Sequence, residues 1–208
     1  MYAFSKSNTK SISVRAKVDI ETEFGKAEFF TFEGLKPGEE HFAIGYGPWR
    51  ESSSPLVRAH SECITGDLFR SYRCDCGKQL QEAIQRFSKE GGIVIYLRQE
   101  GRGIGLYNKL DAYLLQQKGM DTFAANRELG FQEDSRDFYL VPGILNALGV
   151  DEIRMLTNNP HKVEPIRQMG INVREVIQTG YFEHPENKKY LNAKRKIGKH
   201  NLKIEETV

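Results

Sequence analysis

No apolar run in this 208-residue chain approaches the roughly 18 residues that a membrane-spanning helix needs, and the N-terminus carries no apolar signal segment. An excess of either charge is also lacking. The 30 Lys and Arg against 28 Asp and Glu leave a net charge of +2, too balanced for nucleic-acid binding through bulk electrostatics. There is no internal repeat and no long linker, so the length predicts one domain with at most a small appendage. Tryptophan occurs once and cysteine three times, with the three cysteines close together. Clustered thiols in a chain without a secretion signal indicate metal binding in a reducing compartment rather than disulfides, and a cytoplasmic protein is expected.

Those cysteines, Cys63, Cys74 and Cys76, are spaced C-x10-C-x-C. Three thiolates gathered by one loop suit zinc, which prefers tetrahedral sulfur and nitrogen ligands. Three readings stand at this point: ordinary buried apolar residues, a closed structural zinc with His60 as fourth ligand, or an open catalytic zinc. The polar company favours the last. Arg58, His60, Ser61, Glu62, Thr65, Asp67, Arg73 and Asp75 crowd a segment that a structural knuckle would not need.

Along the chain, residues 1–12 are polar and without period, and read as a loose arm. Residues 13–47 are β-like, with strands over 27–32 and 41–46 separated by the turn signal Lys36-Pro37-Gly38. A strand over 56–59 delivers His60 and Cys63. Leu80, Ala83, Ile84 and Phe87 then mark one face of a helix that Gly91 stops. Residues 93–97 are an apolar run of the kind found in a doubly buried strand. A second helix follows, with Leu106, Leu110, Tyr113 and Leu114 on one side. Residues 122–131 read as a short helix or an ordered loop, and Pro142 must make the next helix start late or kink. Strand, helix and strand over 153–177 form a βαβ unit, with Asn159 as N-cap and Pro160 behind it. Residues 186–208 read as a solvated basic helical tail. The expected class is α/β (α+β): a single catalytic domain over 13–185, with a mixed β-sheet flanked by helices and a β-rich N-terminal part.

Two strand-to-helix turns have the look of phosphate sites. In Gly101-Arg102-Gly103-Ile104-Gly105 the glycines admit close backbone approach, and Arg98 and Arg102 can add bidentate contacts. In Thr157-Asn158-Asn159-Pro160-His161-Lys162, a lysine in the first turn breaks the dipole rule, which points to a role other than helix stability. Glu100 suits the N1–H and exocyclic amine of guanine as an acceptor. Asp134-Ser135-Arg136 by itself reads best as a surface ion pair, with a base or acid beside an electrostatic clamp or nucleophile as the functional alternative. Tyr113 by itself reads as a core aromatic. The set points to zinc-assisted hydrolysis of a phosphorylated substrate, most plausibly a purine nucleotide.

As a set, R-A-H-S-E-C-I-T-G-D (58–67), R-C-D-C-G-K-Q-L (73–80), R-Q-E-G-R-G-I-G-L (98–106), D-S-R-D-F (134–138) and L-T-N-N-P-H-K (156–162) resemble GTP cyclohydrolase II. The resemblance implies opening of the GTP imidazole ring with loss of formate and pyrophosphate, an early step towards riboflavin. It implies that Cys63, Cys74 and Cys76 bind zinc (Zn2+). Asp134 matches a proton acceptor, Arg136 a nucleophile towards the α-phosphate, and Tyr113 a tyrosine of the ring-opening chemistry. Arg58, Ala59, His60, Ser61, Glu62, Gln79, Glu100, Gly101, Arg102, Thr122, Thr157 and Lys162 match the GTP-binding set. Magnesium (Mg2+) with the triphosphate and a homodimer are implied as well. Two alternatives remain: a GTP-opening paralogue of another pathway, or one that keeps the formyl group, and, in a different class, a closed zinc module binding RNA through the basic tail.

Overall fold

The computed structural model describes residues 11–132 and 134–196. Most of the expected arm and the end of the basic tail, residues 1–10 and 197–208, lie outside them. Seven strands form one mixed sheet: β1 (Ser13–Thr22), β2 (Gly25–Glu33), β3 (Phe42–Tyr46), β4 (Leu56–Ser61), β5 (Gly92–Leu97), β6 (Glu152–Leu156) and β7 (Asn172–Ile177). Their order is β1-β2-β3-β5-β4-β6-β7. The β1-β2, β2-β3 and β3-β5 pairs are antiparallel, while β5-β4, β4-β6 and β6-β7 are parallel. The β-rich N-terminal part is therefore continuous with the parallel half.

The helices are α1 (Ile64–Asp67), α2 (Cys76–Glu90), α3 (Leu106–Gln117), α4 (Thr122–Glu128), α5 (Leu140–Ala147), α6 (Val163–Gln168) and α7 (Lys188–Lys196). One face of the sheet packs Val57, Ala59, Ile93, Ile95 and Leu97 against Val141, Ile144 and Leu145 of α5 and Ile166 of α6. On the other face Leu56, Val94 and Leu156 meet Ala83 and Phe87 of α2, the stripe legible in the sequence. Burying a side chain the size of Phe87 is worth about 1.5–3 kcal/mol. Pro142 sits in the first turn of α5, where its missing N–H costs nothing. Asn159 caps the turn ahead of α6 by accepting from His161 N at 3.0 Å.

Two expectations change. Leu110 and Leu114 of α3 are 42% and 58% exposed, and the helix turns Lys109 and Ala112 inward instead. A buried carboxylate and thiol need a cation there, and that demand overrides the apolar period. The part of the basic tail that is described is not simply solvated. Leu191 is fully buried, and Lys194 is paired with a buried carboxylate.

Candidate active site

Because β4, β5 and β6 run parallel, their carboxyl ends open on the same side, the position where ligands bind in sheets of this kind. One cleft lies there. It is lined by seventeen of the eighteen residues singled out from the sequence, all except Ala59. Strand alternation explains the exception. Arg58 and His60 point to the α2 side of β4, and Ala59 between them points into the opposite core. Only its carbonyl serves the site, accepting from Lys162 Nζ at 2.8 Å.

The three sulfurs lie within 4.8 Å of one another, Cys63 and Cys74 at 3.5 Å. Thiolates sharing a zinc at ~2.3 Å stand roughly 3.8 Å apart, so the trio fits that metal. Gly66 leaves the room: a Cβ there would fall 2.8 Å from Cys74 Sγ and 3.1 Å from Cys63 Sγ. Hydrogen bonds from the Cys74 and Cys76 thiols, with help from the Lys109 charge, outweigh burial and bring Cys63 down to about 3. Among the described residues no fourth His, Cys, Asp or Glu joins the trio.

His60 is not that fourth ligand, because both its ring nitrogens are engaged. Nε2 faces both Asp67 oxygens at 3.1 Å, and Nδ1 accepts from Arg58 Nε at 3.3 Å. Arg58 Nη2 continues to Gln79 Oε1 at 2.9 Å, and Gln79 Nε2 to Asp75 Oδ2 at 2.7 Å. Asp67 also accepts from Cys63 N and from the Tyr96 hydroxyl. Burial pushes the His60 pKa down, and Asp67 only partly opposes it, so the ring is neutral with its proton on Nε2.

Glu100 also has a use within the protein. Its Oε2 accepts from Ile64 N at 2.6 Å; its Oε1 accepts from Gly101 N and from Lys109 Nζ, each at 2.8 Å. Three of about four lone-pair positions are thus filled from within, and the carboxylate ties the glycine loop to the cysteine loop while still lining the cleft. Lys109, missed from the sequence, also reaches Cys63 Sγ at 3.3 Å and Thr65 Oγ1 at 3.0 Å. Burial works against its charge, but Cys63, Tyr113 and Glu100 together hold its pKa above the ordinary value. Tyr113 is in the cleft rather than the core, its hydroxyl 3.4 Å from Thr65 Oγ1.

The remaining loops close on these. Gly101 and Arg102 both have left-handed backbone, with φ of 63° and 62°, a strained choice for arginine of the sort that collects at functional sites. Gly103 runs against Ser135, where a Cβ would meet the carbonyl at 2.9 Å, and Ser135 N donates to Arg102 O at 3.0 Å. The glycine loop thereby carries the Asp134–Arg136 loop. Asp134 Oδ1 accepts from Arg136 Nε at 2.8 Å and its Oδ2 from Nη2. Burial lowers the Lys162 pKa, and Arg136, Arg58 and Lys194 push it further the same way. Thr157 and Thr122 complete the wall, with Tyr190, Lys194 and Asn126, none of which the sequence singled out. A lone Tyr or Lys in a basic stretch carries no local signal.

Fold and cleft together define an α+β protein in which three thiols able to hold a metal ion share a cleft with several arginines and lysines. A family model described as GTP cyclohydrolase II matches residues 13–178. GTP cyclohydrolase-2 of Vibrio parahaemolyticus is 50% identical over 195 residues, 92% of this chain and 98% of that one. The Psychromonas ingrahamii protein of the same name is 54% identical over 179 residues, covering 86% and 90%, and that of Buchnera aphidicola is 48% identical over 86% and 92%. The chain belongs to the GTP cyclohydrolase II family.

Proposed function

We propose that this protein opens the imidazole ring of GTP by hydrolysis, releasing C8 as formate and the β and γ phosphates as pyrophosphate. The product on this reading is 2,5-diamino-6-(5-phosphoribosylamino)pyrimidin-4(3H)-one, made for riboflavin. One observation carries the reading: three converging thiols line one cleft together with Arg58, Arg102, Arg136 and Lys162. Cys63, Cys74 and Cys76 would hold one zinc per subunit, which supplies Lewis acidity for activating water at the ring carbon.

The chain's own groups do the rest. Lys162 is fixed by the Ala59 carbonyl and offers its charge to the phosphate chain, for which magnesium is the expected counter-ion. Asp134 occupies Nε and Nη2 of Arg136, which orients the guanidinium plane and leaves Nη1 towards the α-phosphate. In the nucleophilic role Arg136 gives up a proton, and Asp134 is the adjacent acceptor. Tyr113, whose pKa burial raises, stays a neutral donor beside the thiols. Arg58, held by His60 and Gln79, stands ready at the base or ribose. On this reading it works in the cytoplasm as a homodimer.

A closed zinc module on RNA needs a fourth ligand and a free basic tail, whereas His60 is committed to Asp67 and Lys194 to Asp75. The deciding experiment incubates zinc-loaded protein with GTP and magnesium and follows formate and pyrophosphate together. Equal amounts of the two are expected. A product retaining the formyl group would move the protein to a paralogous reaction, and absence of both would overturn the reading.

A further inference from the structure

The helix α7 forms one wall of the cleft. It is seated beside α4 by Leu191, and by Lys194, whose Nζ donates to Asp75 Oδ1 at 2.7 Å. The Asp75 side chain is wholly buried, stands between Cys74 and Cys76, and passes the contact on through Gln79 to Arg58. One turn before Lys194, Tyr190 faces the cleft. Its ring centroid is 5.9 Å from the Arg102 guanidinium carbon and 4.6 Å from the Lys194 ammonium. Its hydroxyl makes no hydrogen bond to any described residue. A phenol keeps its proton at neutral pH and is a donor. Asn126, on the helix α7 packs against, lines the same cleft, and its Nδ2 is buried without a partner among the described residues. Unpaired donors amid arginines and lysines call for an acceptor-rich anion.

We infer that Tyr190 touches the substrate at its phosphate-bearing end, its hydroxyl donating to a phosphate oxygen, and that Lys194 is the positioning residue that seats it there through Asp75. The inference rests on the proposed reading in taking that anion to be a triphosphate. Nothing in the local sequence announces it, since both residues lie in a stretch that reads as solvated.

The test measures binding of inorganic tripolyphosphate, GTP and guanosine to zinc-loaded, full-length protein by calorimetry. Tyr190→Phe keeps the ring and its packing and removes only the donor. It should weaken tripolyphosphate and GTP by about tenfold and leave guanosine unchanged. Lys194→Met should cost as much, Lys194→Arg should restore most of it, and the Tyr190→Phe/Lys194→Met double variant should be no worse than Lys194→Met. Wild-type protein that fails to bind tripolyphosphate, an unchanged Tyr190→Phe, an equal loss for guanosine, or additive losses would each overturn the inference. Tyr190-dependent tripolyphosphate binding in a protein that makes no formate from GTP would sink the ring-opening reading and leave this one standing. If Lys194→Met does not fold, Tyr190→Phe decides alone.

Discussion

His60 Nε2 lies 3.1 Å from both carboxylate oxygens of Asp67, and that pairing decides what kind of metal site the cysteines can make. A ring so committed leaves three sulfurs and an open position. His60→Ala should therefore retain one zinc per chain, measured by metal analysis of the purified protein. Asp67 keeps the Cys63 N–H and the Tyr96 hydroxyl as donors, so the variant should fold, at a cost of about 1–3 kcal/mol. Loss of the zinc would reinstate the closed, four-ligand site.

Lys109 is the only side-chain donor to Glu100 among the described contacts, with the two side chains 9% and 5% exposed. Lys109→Met should strand a buried carboxylate and cost about 3–5 kcal/mol in urea unfolding. It should also hasten loss of zinc to a chelator, because Cys63 loses the neighbouring charge. An unfolding midpoint equal to wild type would refute the assigned contact.

Arg136→Lys keeps the charge and discards the planar fork that Asp134 grips. Pyrophosphate release from GTP should fall by about 100-fold or more, with GTP affinity reduced far less. Turnover within a few-fold of wild type would remove Arg136 from the chemistry.

Asp134 sits below its ordinary pKa of 3.8: burial pulls upward, but the hydrogen bonds and charge of Arg136 prevail. The folded state thus binds this proton less readily than the unfolded chain. The carboxylate stabilises the fold above pH 3.8, and its contribution fades as the pH falls through the lower folded value. The melting difference between wild type and Asp134→Asn should be constant from about pH 5 to 8 and shrink in acid. A difference that instead widened in acid would mean the carboxylate is not held ionised by Arg136.

Wherever periodicity or turn chemistry governed a segment, the sequence was enough. The stripe of α2, the doubly buried β5, the Asn159 cap and the late start of α5 all follow from local rules. The cleft was legible because its residues sit in compact runs at strand ends. What escaped were pairings set by charge across distance. Lys109 breaks the apolar pattern of α3 to serve Glu100, nine residues away, and Lys194 answers Asp75 across 119 positions. Glu100 has a second use that its local sequence does not announce: besides lining the cleft, it accepts from the backbone of Ile64 and Gly101 and from the Lys109 ammonium.

The crowding of cations around Lys162 has a consequence for the empty protein. Arg58, Arg136 and Lys194 all push against a lysine that is itself buried and has only a backbone carbonyl to lean on. An anion in the cleft would offset these charges. A polyanion entering it acts as the missing counter-charge, so the loaded form is the relaxed one. On the proposed reading, GTP or tripolyphosphate should therefore raise the melting temperature of the protein.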